Sequence, residues 1–501
     1  MDQRSARRLL AVAILIGLLA QALLYRTALG VNLVLLVGAV LGTAVLLRRP
    51  GARTDRLDLW IAPAALAFSA FVALRADPAL VAFDTLAALG LGAAGVAAIG
   101  GARLMRRSLL GLAVVGLRGG ALIVGGASEP LAAARPARGA EALRSRAAVL
   151  APYLRGLLIA LPVLAIFVGL FASADAVFSR GVQDVLSIEI RLGEVPVRLA
   201  LAALVAWMVA GLLVAVARQV FPPEAHSLGA AVVSPRLRVP LPRLGLVEAT
   251  VVLAAVDLLF AVFVGLQLTY LFGGRDTLAA SGMTYSQYAR RGFFELVAMA
   301  FLAGGLIAGL ETVVAGRSRA YLASAVALTG LTLVVLASAT LRLKLYQDAY
   351  GWTELRFYVY AAIAWLGLGA VATVVLLLTG RTRWLIHALG MLVVVVALAV
   401  SALGPQGFVA RQNLARAIDP GLVPTGGETG LDAWYLSSLG DDAVPVMIEA
   451  LPYVDAHDRP LLEAEIRGRA QALRHPEATA WSAWNLARER AREALTVYLQ
   501  P

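Results

Sequence analysis

The side chains of this chain that can do chemistry are few, and they are gathered in two stretches. One is RLKLYQDAYGWTELRFYVY (342–360), set between the apolar runs ALTGLTLVVLASATL and AAIAWLGLGAVATVVLLL. It brings Arg342, Tyr346, Asp348, Tyr350 and Glu354 together, both signs of charge beside phenol groups. The other is YLFGGRDTLAASGMTYSQYARRGFFEL (270–296), with Arg275, Tyr288, Arg291 and Glu295; Asp175, at the end of an earlier apolar run, is a candidate to join them. Groups of these types hold ligands or partner proteins through charge-assisted hydrogen bonds. The competing account is an interfacial belt, since Tyr and Trp favour headgroup depth and arginines there pair with lipid phosphate. A belt explains scattered aromatics well and two stretches with several charges of both signs less well. Ionisable groups in or beside a membrane are by default a functional hypothesis.

Asp257 stands near the middle of the apolar run 247–271. An ionised carboxylate at that depth costs about 2.5–3.5 kcal/mol, so it needs a proton or a partner. One reading is a proton or cation relay; the other is a protonated or hydrogen-bonded Asp facing a neighbouring helix. Glu248 falls on the opposite face of an ideal helix, so the two acids form no wire. Glu248 and Glu311, with Arg243 and Arg317 nearby, read as snorkelling ion pairs. Gly90-Leu91-Gly92-Ala93-Ala94-Gly95 matches the dinucleotide fingerprint by letters, but it lies inside an apolar run with neither a strand before it nor a suitable acid after it. His226, His387, His457 and His475 have no metal-ligand spacing, and no phosphate-binding loop, HExxH or nucleophile motif is present. No catalytic residue, metal or cofactor is expected.

The elements that must position these residues are membrane helices. Of 501 residues, 60% are hydrophobic and 15% charged, against about 45–50% and about 25% in a soluble globular protein. A helix needs about 20 apolar residues to cross the hydrocarbon core. About eleven such runs are present, near 9–24, 28–47, 57–75, 79–102, 155–172, 197–217, 247–271, 293–315, 320–341, 357–379 and 385–404. The first also has features of a cleaved signal peptide, with Arg7 and Arg8 before it and Ala20-Gln21-Ala22 near its end, but an uncleaved first helix is the preferred reading. Gly305 and Gly309 form a small-residue pair suited to helix packing.

The net charge of +12 comes from arginines placed mostly in short loops beside apolar runs, which is an orientation signal and not a nucleic-acid footprint. Anionic headgroups of membrane lipids are the natural partners of that charge. The arginine bias predicts a cytoplasmic N-terminus and, with an odd number of crossings, an extracytoplasmic C-terminus. SLLGLAVVGLRGGALIVGG (108–126) is long enough to span but carries Arg118 and many glycines. It reads as a cytoplasmic, interfacial or re-entrant segment, followed by a basic amphipathic connection. From Pro405 onward the apolar residues become periodic and charge returns, predicting a small helical domain. The expected organisation is N-terminal spans over 1–107, a basic interfacial connection over 108–154, a transmembrane core over 155–404, and an extracytoplasmic helical domain over 405–501. The absence of cysteine excludes disulfides and thiol chemistry.

Within the first polar stretch, Arg342, Tyr346 and Tyr350 share one face if the preceding helix continues past the membrane. Gly351 is the expected C-terminal cap, Thr353 the N-cap of the next helix, and Glu354 lies in its first turn. In the second stretch Thr284-Tyr285-Ser286-Gln287 has the form of a capping box, and Arg291 and Glu295 are i, i+4 neighbours.

Taken in order, ALPVLAIFVGLFASADAVF, VDLLFAVFVGLQLTYLFGG, YSQYARRGFFEL, RLKLYQDAYGWTELRFY, VARQNLARA, LDAWYLSSLGDDAVPVMIEAL and WSAWNLARERA resemble a bacterial multi-pass membrane family, the domain of unknown function numbered 4173. The resemblance runs over roughly 150–490 and implies a polytopic protein of the bacterial plasma membrane. It carries no activity and no catalytic residue.

Three functional classes remain open. The first is a non-enzymatic sensing or assembly protein, whose polar stretches and tail form one outer surface for a ligand or partner protein. The second is a proton-coupled secondary transporter built on Asp257, with Pro162 breaking a helix. The third is a membrane-embedded transferase acting on lipid-linked substrates, which usually needs a large first outer loop that Tyr25, Arg26 and Thr27 do not provide.

Overall fold

A computed structural model of the chain describes residues 2–48, 54–107, 109–134, 194–218, 245–272, 293–314, 316, 318–425 and 427–500. Their regular structure is helical, with no strand among them. Eight of the described helices are long and apolar enough to cross a membrane, or nine if one bent pair counts as a span. The expected figure of about eleven is therefore approximate: the helix at Val31–Leu46 has only 16 residues, and the run at 155–172 lies outside the described residues. The described residues divide between two units, one within Met1–Leu74, Ala82–Val232 and His475–Asn485, the other within Arg75–Val81, Val233–Arg474 and Leu486–Pro501.

The first unit contains α1 (Gln3–Leu24), α2 (Val31–Leu46), α3 (Ile61–Leu74), most of α4 (Pro78–Ile99), α5 (Leu109–Gly125), α6 (Ser128–Ala134) and α7 (Glu194–Arg218). Helices α1 and α7 run antiparallel: Gly17 lies against Ala202 and Ala206, while Arg26 at one end meets Glu194 at 3.4 Å. Close approach at Gly17 needs the missing side chain, since a Cβ there would collide with the Ala202 carbonyl. Asn32, fully buried, organises the α1–α2 turn with both ends of its amide. Its Nδ2 donates to the carbonyls of Leu23 and Ala28, and its Oδ1 accepts from the N–H groups of Gly30 and Leu33. The segment 477–485 packs at the same end: Ala28 N–H donates to the Glu477 carbonyl at 2.9 Å, Val31 N–H to that of Trp484 at 3.0 Å, and Asn485 Nδ2 to that of Val72 at 2.8 Å.

The opposite end of α1 and α7 holds the bent pair. Helices α5 and α6 meet at 56°. Leu112 and Val115, early in α5, cluster with Leu104 and Ala215. Beyond the bend, Glu129 pairs with Arg218 at 2.7 Å and Gln3 Nε2 donates to the Ala134 carbonyl at 3.0 Å. The pair thus starts and finishes near the end where α1 begins and α7 finishes.

The second unit contains α8 (Leu246–Phe272), α9 (Phe293–Val313), α10 (Arg319–Tyr350), α11 (Glu354–Leu378) and α12 (Leu385–Leu403), followed by α13 (Pro405–Ile418), α14 (Ala433–Ser438), α15 (Val444–Ala450), α16 (Arg459–Ala472) and α17 (Leu486–Tyr498). The long helices share an apolar core that includes Leu253, Leu296, Leu328 and Leu336. The short ones build a second core around Leu436, Met447, Leu462 and Ile466. The change from continuous to periodic hydrophobicity at Pro405 marks the passage from one kind of helix to the other.

Candidate functional site

Helix α10 continues unbroken for 32 residues, far longer than a membrane requires, and its last two turns carry the polar stretch. Tyr346 and Tyr350 lie one turn apart with ring centroids 5.0 Å apart. Arg342 is one turn further back and half-buried. Lys344 and Asp348 form an i, i+4 ion pair at 2.5 Å. The helix stops at Gly351, whose φ of 78° and ψ of −173° are open only to glycine. Thr353 then caps α11, its hydroxyl accepting from Arg356 N–H at 3.4 Å, with Glu354 in the first turn. The capping residues read from the sequence take the places expected of them.

The tip is seated on the tail helices of its own unit. Asn413 Oδ1 accepts from Trp352 N–H at 2.7 Å, and its Nδ2 donates to the Trp352 carbonyl at 2.9 Å. Arg416, buried, reaches the carbonyls of Gln347, Asp348 and Ala349 at the end of α10 and that of Glu428, while Glu428 N–H donates to the Ala349 carbonyl at 2.9 Å. A cation at a helix C-terminus that also satisfies its last carbonyls answers both the dipole and the free acceptors. Burial opposes the Arg416 charge. The Tyr435 hydroxyl accepts from Glu354 N–H at 2.8 Å, and burial pushes its pKa up to about 12, so it stays a neutral phenol with a proton to donate.

A cavity of about 250 Å³ remains where the tip meets the tail, lined by Trp352, Arg356, Asn413, Arg416, Asp432 and Tyr435 among others. Arg356 spans its wall. It donates to the carbonyls of Tyr350 and Gly351, stacks over the Tyr346 ring at 4.3 Å, and makes no ion pair among the described residues. Trp352 is fixed from behind by Tyr360 and Phe408. Charged, hydrogen-bonding and aromatic groups that converge on a hollow of this size suit a small polar ligand. Among the described residues no three acidic or histidine side chains gather to hold a metal.

A second polar node lies beside the tip in the same unit. Arg75 donates to the carbonyls of Ser401 and Ala402 at the end of α12 and approaches Asp442 at 3.8 Å. Asp442 Oδ2 accepts from the N–H groups of Ala76 and Asp77 at 2.6 and 3.0 Å. Asp77 Oδ1 caps the start of α4, at 2.9 Å from Ala79 N–H and 3.2 Å from that of Leu80. Gln406 joins the node to the tip, donating to Glu354 Oε1 at 3.2 Å and accepting from Gly440 N–H at 2.8 Å. Burial raises the pKa of both Asp442 and Asp77.

Of the candidate outer residues, Arg342, Tyr346, Asp348, Tyr350 and Glu354 are thus brought together at the tip. Glu295 sits exposed in the first turn of α9. Asp175, Arg275, Tyr288 and Arg291 lie outside the described residues, as do Arg243 and Arg317. Glu248 accepts from Gly245 N–H at 2.8 Å and so caps its own helix, and Glu311 accepts from the Tyr321 hydroxyl at 3.1 Å. Asp257 lies close to Ser324 of α10, and its Oδ1 atom is buried without a partner among the described residues. Sequence reasoning missed Arg356, Asn413, Arg416 and Tyr435. A signal existed for two of them: Asn413 and Arg416 in VARQNLARA are i, i+3 neighbours and share a helix face.

Helices of this length and apolarity, carrying a polar tip on a tail of short helices, define a multi-pass membrane protein of the all-α class. The chain matches a family model, Domain of unknown function (DUF4153), over residues 61–450, and it belongs to that family. The resemblance to an uncharacterised membrane-protein domain holds at that level, but the family is DUF4153 and not the one numbered 4173. No curated protein and no solved structure matches the chain.

Proposed function

We propose that this is a non-enzymatic sensing or assembly protein of the bacterial plasma membrane, with a cytoplasmic N-terminus and an extracytoplasmic tail. In this reading it takes up an extracytoplasmic ligand or a partner protein at the seat of the 342–360 tip. The observation that carries it is the cavity itself: the tip is bound to the tail by many hydrogen bonds, yet a hollow with an arginine in its wall is left open between them. A purely structural tip is better served by filling that space. The orientation rests on the arginine bias, and on segment 477–485 packing at the end of α1 away from Gln3.

The test is a thermal-shift screen of the purified chain in detergent against polar small molecules, repeated with Arg356→Gln. A compound that raises the midpoint for the native chain and not for the variant supports the proposal. A screen in which no polar compound discriminates the two overturns the small-ligand form, and failure of a tagged native chain to retain any membrane partner lost by Arg356→Gln overturns the other. A reporter fused to the tail that fluoresces only in the cytosol should stay dark; a bright signal overturns the orientation.

The buried Asp257 Oδ1 without a partner among the described residues favours a second reading, proton-coupled transport. A flux assay in proteoliposomes that is indifferent to Asp257→Asn removes it.

A further inference from the structure

The first unit holds two apolar hollows that share a wall. One, about 250 Å³, lies among α2, α4, α5 and α7. The other, about 350 Å³, lies among α4, α5 and α7 and reaches Leu104. Ala93, Ile123 and Leu212 line both, so the two form one trough. Along α4 its lining runs from Ala97 to Ala88 and along α7 from Ala215 to Val205. At the helical rise these stretches are about 14–15 Å long. The hydrocarbon of one leaflet, half of a core about 30 Å thick, has the same depth.

Missing side chains keep the trough open. Gly90, Gly116, Gly119 and Gly120 all line it, and a Cβ added at any of the four would meet no atom of another described element within 4 Å. Glycine weakens a helix, and a bare surface in a membrane forfeits dispersion contacts unless something else supplies them. At the Leu104 end the rim is basic. Arg103 and Arg106 are exposed, Arg107 is half-buried, and Arg118 lies near enough to Arg107 for the two charges to repel. Of the carboxylates close by, Asp55 pairs with Arg106 at 2.5 Å and also attracts Arg103. Asp58 accepts from the N–H groups of Leu104 and Met105 at 2.7 and 2.9 Å and also attracts Arg107, which leaves four arginines against two acids at this end among the described residues. Arg103 and Arg118 make no ion pair among the described residues.

We infer that the first unit binds one anionic phospholipid, with an acyl chain in the trough between α4, α5 and α7 and its phosphate at the rim formed by Arg103, Arg107 and Arg118. The apolar walls take the chain, the depth matches one leaflet, and the basic rim selects an anionic headgroup.

Native mass spectrometry of the full chain, released from nanodiscs with equal amounts of phosphatidylglycerol and phosphatidylcholine, tests this. The expected result is one phosphatidylglycerol retained per chain. Filling the trough with Gly116→Leu and Gly120→Leu should release it, and Arg107→Gln with Arg118→Gln should lower the preference for phosphatidylglycerol by about fivefold per arginine. Equal retention of the two lipids by the native chain, or a filled variant that folds and keeps its lipid, overturns the inference. Should the filled variant fail to fold, phosphatidylglycerol carrying a photoreactive group in mid-chain decides on the native protein. Labelling at Ala93, Ile123 and Leu212 supports the trough, and labelling spread over the lipid-facing surface overturns it.

Discussion

Asn413 holds Trp352 by both atoms of its amide, accepting from the backbone N–H at 2.7 Å and donating to the backbone carbonyl at 2.9 Å. One side chain thereby does for a single residue what a neighbouring strand does in a sheet, satisfying both of its main-chain groups at a turn where no helix can. Asn413→Ala leaves a donor and an acceptor unpaired in a half-buried turn, an expected cost of about 2 kcal/mol. The check is hydrogen exchange: the Trp352 amide should lose protection while amides in the middle of α10 keep theirs. Unchanged exchange at Trp352 would mean that the tip is held by something else.

Arg416 is the stricter case. Its guanidinium bonds four carbonyls on two segments, and only a planar fork with donors on several nitrogens can serve them together. Arg416→Lys keeps the charge and loses the fork, so an expected loss of about 1–3 kcal/mol should approach that of Arg416→Ala. Thermal midpoints of the two variants, measured side by side in one detergent, decide it. A lysine variant close to the native chain would show that charge alone at the end of α10 is enough.

How much of this was legible in the sequence differs by level. Hydrophobic runs announced the long helices because the bilayer imposes one length and one polarity on every span. Gly351, Thr353 and Glu354 announced the tip because capping is local chemistry, set within four residues. The seat of the tip could not be read in the same way. Trp352 and Asn413 are 61 residues apart, and Asp442 lies 365 residues from the Asp77 amide it accepts from. Pairings at such distances follow from tertiary packing, and no periodicity encodes them. Asp77 illustrates the point, since by sequence it is an ordinary acid before a proline, and only the fold buries it.

Gly351 joins the local and distant levels. Its φ of 78° disfavours any side chain, and a Cβ built there would stand 2.8 Å from Asn413 Oδ1. Gly351→Ala therefore strains the turn and pushes away the amide that holds Trp352. The expected destabilisation is about 1–3 kcal/mol from the backbone, with loss of the Asn413 bonds added to it. Because both changes remove the same contact, Gly351→Ala and Asn413→Ala should be less than additive when combined. Full additivity of their midpoint shifts would place the two residues in independent roles.

The node at Arg75, Asp77, Asp442 and Glu354 makes the second unit sensitive to pH, and the sign follows from burial. Asp77 is 1% exposed, its Oδ2 has no partner among the described residues, and desolvation raises its pKa in the folded chain. Desolvation also raises that of Asp442, against the backbone bonds and Arg75 that favour its charge. A carboxyl with a raised pKa keeps its proton in the folded state at a pH where the unfolded chain has released it. Stability from these groups is therefore greatest below the ordinary carboxylate range, falls as pH rises through the window up to the raised values, and levels off above it. Asp77→Asn retains the oxygen that caps α4 and removes the charge that burial penalises. It should stabilise the unit at neutral pH by on the order of 1 kcal/mol and have little effect in acid. Thermal midpoints of the native chain and the Asp77→Asn variant, compared from mildly acidic to neutral pH, should converge at the acid end and separate toward neutrality. Parallel profiles would show that Asp77 is charged and satisfied in the folded protein.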